Sequence, residues 1–215
     1  MGWLTCLTDP GALIVADTST VINLNATGCA PEIVRALPHK LVVVDVVAAE
    51  LEEGRRQGRP DAGLLNQLVA AGHVEIVKLN DPAALHFERL VVGAAAMTLD
   101  DGEAATIAYA VVHKGTAILD ERKATRICAE TFPRLHLGCT VDILAHPEVR
   151  KSLGKEMLAD AVFKALYNGR MRVFPHHVEW VIGLIGTDHA AACTSLPNSV
   201  RQPAQTAGRG RRKVK

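Results

Sequence analysis

The sequence predicts a three-layer α/β/α sandwich around a central, mainly parallel sheet. Two observations predict it. Short apolar runs, Ala12-Leu13-Ile14-Val15-Ala16, Leu41-Val42-Val43-Val44 and Thr116-Ala117-Ile118-Leu119, alternate with helical patterns. Strands buried on both faces read as such continuous runs, and β-α alternation builds a parallel sheet with helices on both sides. Acids also recur at or soon after the ends of these runs: Asp17, Glu50 and Asp120, joined by Glu103. In open α/β sheets ligands bind outside the carboxyl ends of the strands, so acids far apart in sequence converge there.

Taken in order, residues 12–16 read as the first strand. Asp17-Thr18-Ser19-Thr20 then offers several N-caps for a helix through Val21, Ile22 and Leu24. A short helix over Pro31 to Leu37 precedes the second strand, Leu41 to Val44. The next helix contains Val46, Val47, Ala49, Glu50 and Leu51 and ends at Gly54, before the basic loop Arg55 to Pro60. Ala62 to Ala71 is helical, with Gly72 as its stop. His73 to Leu79 alternates and suggests an edge strand. Asp81-Pro82 starts a helix that runs to about Ala96. Asp100 or Asp101 caps the helix from Glu103 to His113. Thr116 to Leu119 is a central strand, Arg122 to Glu130 a helix, and Arg134 to Leu137 a last short strand. Helices over Val141 to Leu144, Lys151 to Asn168 and Val178 to Ile185 follow, and periodicity fades after Gly186. This divides the chain into a domain over residues 1–186 and a basic, disordered tail over 187–215. The tail ends in Arg209, Arg211, Arg212, Lys213 and Lys215 and could attract nucleic acid through phosphate charge.

Composition narrows the class. Of 215 residues 48% are hydrophobic but only 4% aromatic, so Ala, Val, Leu and Ile must build the core. The five cysteines, Cys6, Cys29, Cys128, Cys139 and Cys193, are odd in number and form no C-x-x-C pair. That argues against a disulfide framework and a structural zinc site, and fits a reducing, cytoplasmic setting. The N-terminus lacks the basic region of a signal peptide, and no apolar run reaches the roughly 18–20 residues that span a bilayer.

Each acid also has an ordinary structural use. Asp17 suits an N-cap, Glu50 beside Glu52 and Glu53 suits a solvated helix face, and Glu103 in a first turn favours the helix dipole. Asp101 and Asp142 read as helix caps, and His176-His177 as structural or surface residues. Asp120, at the end of a strongly apolar strand, must be hydrogen-bonded, paired or metal-bound. One crevice explains all four. Carboxylates gathered without matching bases repel one another unless a cation neutralises them. Mg²⁺ or Mn²⁺, held by a few carboxylates, suits phosphodiester hydrolysis by an activated water.

At these residues the chain resembles the PIN-domain family of metal-dependent ribonucleases. Val15-Ala16-Asp17-Thr18-Ser19-Thr20-Val21-Ile22-Asn23-Leu24 is similar to the family's opening strand, acid and Ser/Thr corner. Ala49-Glu50-Leu51 is similar to its acid on the helix after strand two. Leu99-Asp100-Asp101-Gly102-Glu103-Ala104-Ala105 resembles the Gly-Glu helix start of the toxin-like (VapC-like) branch. Ile118-Leu119-Asp120-Glu121-Arg122-Lys123-Ala124-Thr125-Arg126 is similar to the Asp-Asp…Ala-x-Arg corner, with Glu121 for the second Asp. The resemblance covers about residues 12–185. It implies an endoribonuclease that cleaves single-stranded RNA with Mg²⁺ or Mn²⁺, the toxin of a toxin-antitoxin pair, forming a homodimer. It further implies Asp17, Glu50, Glu103 and Asp120 as catalytic metal ligands. Ser19 would hold a metal-associated water, Asn23 would orient Asp17 and Glu121 would assist outside the first ring of ligands. Arg122, Lys123 and Arg126 would meet phosphates.

The alternative is a catalytically inactive PIN-like module that binds RNA or a protein partner, against which the full acid set speaks. An aspartyl phosphatase needs a second acid shortly after the first, where Thr18 and Ser19 stand. A Rossmann-type dinucleotide enzyme needs a G-x-G-x-x-G after the first strand, which is missing.

Overall fold

The computed structural model describes residues 5–201. Five strands, β1 (Leu13–Ala16), β2 (Lys40–Val44), β3 (Glu75–Val77), β4 (Thr116–Ile118) and β5 (His136–Gly138), form one sheet in the order β3-β2-β1-β4-β5. Every pairing is parallel. The chain builds outward from β1 to β2 and β3, then crosses to β4 and β5 on the other side. The topological switch point therefore lies between β1 and β4, where Ala16 pairs with Ile118.

Strand alternation sorts side chains into two cores. Ile14, Ala16, Leu41, Val43 and Ile118 face one layer. It contains α1 (Thr18–Ala26), α2 (Ala30–Ala36), α3 (Asp45–Arg56), α4 (Asp61–Ala70), α8 (Thr140–Leu144), α9 (Pro147–Tyr167) and α10 (Val178–Ile185). Val15, Val42, Val44, Ala117 and Leu119 face the other, with α5 (Asp81–Val91), α6 (Asp101–His113) and α7 (Arg122–Thr131). This is the expected α/β/α sandwich. The three inner strands are almost wholly buried, whereas β3 and β5 are exposed edges.

Several boundaries differ from the sequence reading. The helix expected to reach Ala96 stops at Val91, because Gly93 takes φ +141 and Leu99 N–H returns to Leu90 C=O. The polar stretch from Pro147 is the first part of α9, opened by Pro147 itself with His146 Nδ1 accepting Glu148 N–H. That helix breaks at Gly154, whose φ of +69 favours glycine. Nor does the chain leave the core at Gly186: α11 (Thr187–Ala192) and α12 (Asn198–Arg201) follow, and Ala190, Cys193 and Leu196 are buried in the first core. The basic cluster from Arg209 to Lys215 lies outside the described residues. All five cysteines are free thiols. Among the described residues no helix is long and apolar enough to cross a membrane.

Candidate active site

The carboxyl ends of β1 and β4 open into a cavity of about 480 Å³. Asp17 follows the last residue of β1 and Asp120 stands two residues past the last of β4. Because Ala16 and Ile118 are paired, the two acids meet at the switch point. Glu50 arrives from α3 and Glu103 from the first turn of α6. All four predicted acids line the cavity, together with Asp100 and Glu121. Among the described residues, six acids there face two arginines, Arg170 and Arg172.

Each acid is held differently. Asp17, only 2% exposed, is the N-cap of α1: one oxygen accepts Thr20 N–H at 2.7 Å and the other the Ser19 hydroxyl at 2.8 Å. Asp120, 3% exposed, accepts Asn23 Nδ2–H at 2.7 Å, Thr140 N–H at 2.9 Å and the Thr140 hydroxyl at 2.5 Å. Glu50 accepts Gly102 N–H at 2.7 Å on one oxygen and the Thr18 hydroxyl on the other. It thereby supplies the N-terminal bond that the N-cap residue of α6, Asp100, does not make. A Cβ at Gly102 would come within 2.8 Å of Thr18 Oγ1 and 3.0 Å of Glu50 Cδ. Only glycine lets Glu50 dock on this helix end.

The electrostatics follow from burial and crowding. Desolvation, and then the Asp120 charge, push Asp17 from its ordinary 3.8 to about 7. Desolvation, followed by Asp17 and Asp100, pushes Glu103 from 4.5 to about 7. Burial raises Asp120 as well, against the lowering effect of its Thr140 and Asn23 bonds. Carboxyl groups so arranged resist ionising together. Hard oxygen donors around a deficit of positive charge fit a divalent cation such as Mg²⁺ or Mn²⁺.

Other predicted residues fall out differently. Ser19 supports Asp17 directly. Asn23 does not orient Asp17 but holds Asp120 across the switch point. Glu121 lines the rim, paired with Arg172. Lys123 donates to Ala95 C=O and Arg126 to Glu130 and Ala96 C=O, so both are turned to the segment before α6. Arg122 lines a groove beside the cavity, shared with Arg170 and Arg172. Thr140, Arg170 and Arg172 were missed. The only signal for the arginines was a basic pair around Met171 just past a long helix, and for Thr140 a hydroxyl one residue after Cys139 at the end of the last strand.

A family model described as a PIN domain matches residues 13–187. No curated protein and no solved structure matches the chain.

Proposed function

The chain belongs to the PIN-domain family, a family of nucleases, over residues 13–187, and from that premise we propose that it is a divalent-metal-dependent endoribonuclease acting on single-stranded RNA. The observation that carries the proposal is the crevice itself: among the described residues six acids against two arginines, with Asp17 and Asp120 buried side by side at the switch point.

Asp17, Glu103 and Asp120 would hold the ion, with Glu50 closing the ring. Mg²⁺ or Mn²⁺ supplies there a lowered water pKa and positive charge for the departing oxygen. The protein's own part is positioning. Ser19 fixes the Asp17 carboxylate, and Asn23 with Thr140 fixes Asp120. Glu50 ties α1, α3 and α6 together so that Glu103 projects into the cavity. Arg170 and Arg172 stand on the rim, continuous with Arg122. There they can hold backbone phosphates of an entering strand while the acids repel phosphate from the metal-free floor. The toxin role, an antitoxin partner, a homodimer and a cytoplasmic setting belong to the same proposal. The first three are supported by the likeness of the Gly102-Glu103 helix start to the toxin-like branch, and the last by five free cysteines.

The test is cleavage of a labelled single-stranded RNA by the purified chain, in Mg²⁺ or Mn²⁺ against EDTA, with single-stranded DNA and duplex RNA beside it. Cleavage of the single-stranded RNA that needs metal and disappears in Asp17→Asn is expected. A folded protein that leaves a range of such RNAs intact in both metals would overturn the proposal.

A further inference from the structure

Behind the acid crevice lies a second cluster of donors of a different chemical kind. Cys139 and Asp142 belong to the start of α8, His177 ends the short 3₁₀ helix Pro175–His177, and Cys6 comes from the N-terminal segment. Cys139 is 2%, His177 4% and Asp142 7% exposed. One ligand atom from each of these three lies within 4.8 Å of the others. Cys139 Sγ is 3.1 Å and His177 Nε2 3.5 Å from the two Asp142 oxygens. Cys6 Sγ stands beside this triad, against Gly138, and the Thr5 hydroxyl donates to Asp142 C=O at 3.2 Å, docking the N-terminal segment there. Gly138 leaves room for this: a Cβ at that position would sit 2.7 Å from Cys6 Sγ and 3.6 Å from Asp142 Oδ2.

We propose that Cys139, Asp142 and His177, with Cys6 as fourth donor, form a metal site selective for zinc, separate from the acid crevice. Capping explains part of the arrangement, since Asp142 accepts Cys139 N–H at 2.9 Å. A cap needs neither two thiols nor an imidazole around the same carboxylate. Two sulfurs, one ring nitrogen and one carboxylate oxygen are a zinc donor set. With bonds of about 2.0–2.3 Å, neighbouring ligands of a tetrahedral zinc lie roughly 3.3–3.8 Å apart. The observed 3.1 and 3.5 Å are close to that, and Cys6 would swing inward to join the triad when the ion binds. Binding releases one proton to solvent from each thiol that coordinates. The donors come from three separate segments, which is why no C-x-x-C spacing announces them. Sulfur and imidazole favour zinc, whereas the all-oxygen crevice favours magnesium or manganese. The zinc would also staple Cys139 and Asp142 on either side of Thr140, the residue that holds Asp120.

The test uses the purified full-length chain, stripped with chelator under reducing conditions and titrated with Co²⁺. The expected result is about one equivalent of tetrahedral cobalt with thiolate charge-transfer absorption, displaced by Zn²⁺. The signal should disappear in Cys139→Ser and His177→Ala and persist in Asp17→Asn, which separates this site from the acid crevice. Cys6→Ser should keep the tetrahedral bands with roughly half the charge-transfer intensity, two thiolates having become one. This variant decides the matter if the buried substitutions do not fold by circular dichroism. Folded wild-type protein without the tetrahedral signature would overturn the proposal. So would a signal unchanged in Cys6→Ser, or unchanged in folded Cys139→Ser and His177→Ala.

Discussion

Replacing Asp17 by Asn should destroy metal-dependent activity yet make the metal-free protein more stable. The folded carboxyl titrates near 7 against an ordinary 3.8. Unfolded, Asp17 gives up its proton near the lower value; folded, it keeps it to the higher one. Between the two the folded state holds a proton that the unfolded state lacks, so stability falls as pH rises through this window and levels off above it. At about 1.4 kcal/mol per unit, forcing the charge onto buried Asp17 costs about 4 kcal/mol, an upper bound because the charge is shared with Asp120. Asn removes that cost and keeps the cap, since its side-chain oxygen can still accept Thr20 N–H. The altered bond to Ser19 takes back about 1 kcal/mol. A net gain of about 2–3 kcal/mol raises the melting temperature by roughly 4–12 °C in a chain of this size. Thermal melts in EDTA at about pH 8 should show the gain, and at about pH 5 it should shrink because wild-type Asp17 is then protonated. Mn²⁺ at about a hundred times its dissociation constant should add about 2.7 kcal/mol to wild type and little to the variant. A variant equal to or less stable than wild type in EDTA at the higher pH would refute the reasoning.

Three further outcomes follow from the same geometry. Asn23→Ala and Thr140→Val each remove a donor to buried Asp120. Each should cost about 1–3 kcal/mol in urea denaturation and lower Mn²⁺ affinity about 10- to 100-fold. Gly102→Ala puts a methyl into the Glu50 dock; it should cost about 1–3 kcal/mol and depress cleavage, with the native activity unrecoverable by added metal. Arg170→Ala with Arg172→Ala should weaken RNA binding measured in EDTA and reduce the slope of log affinity against log salt by about 1 per lost phosphate contact. Lys123→Ala, already turned to Ala95, should leave that slope unchanged.

The sandwich and the four acids were legible because both are written in short-range pattern. A doubly buried strand is a run of Val, Ile and Leu, and the residue after it is at the sheet's carboxyl edge. Asp17 and Asp120 could therefore be placed without contacts. What pattern cannot show is which strand ends become neighbours. Asn23 looks like a partner for Asp17 on its own helix, but β1 and β4 are adjacent, and that brings Asp120 within 2.7 Å of it. The direction of a basic side chain is equally invisible. Lys123 and Arg126 lie on the expected helix yet spend their donors on carbonyls of the α5–α6 connection. Arg170 and Arg172, some fifty residues further on, reach the rim through the packing of α9 against α1. Past Gly186 the short helices carry too few apolar residues to show a period, although Ala190, Cys193 and Leu196 are enough to seat them on the core.

The central claim is that the acid crevice is built around a divalent cation, and calorimetric titration of Mn²⁺ into chelator-stripped protein tests it most directly. Wild type should bind Mn²⁺ with measurable heat, and Asp17→Asn and Asp120→Asn, each still folded, should lose that binding. Folded wild type that takes up no Mn²⁺, or binding undiminished in both variants, would contradict it.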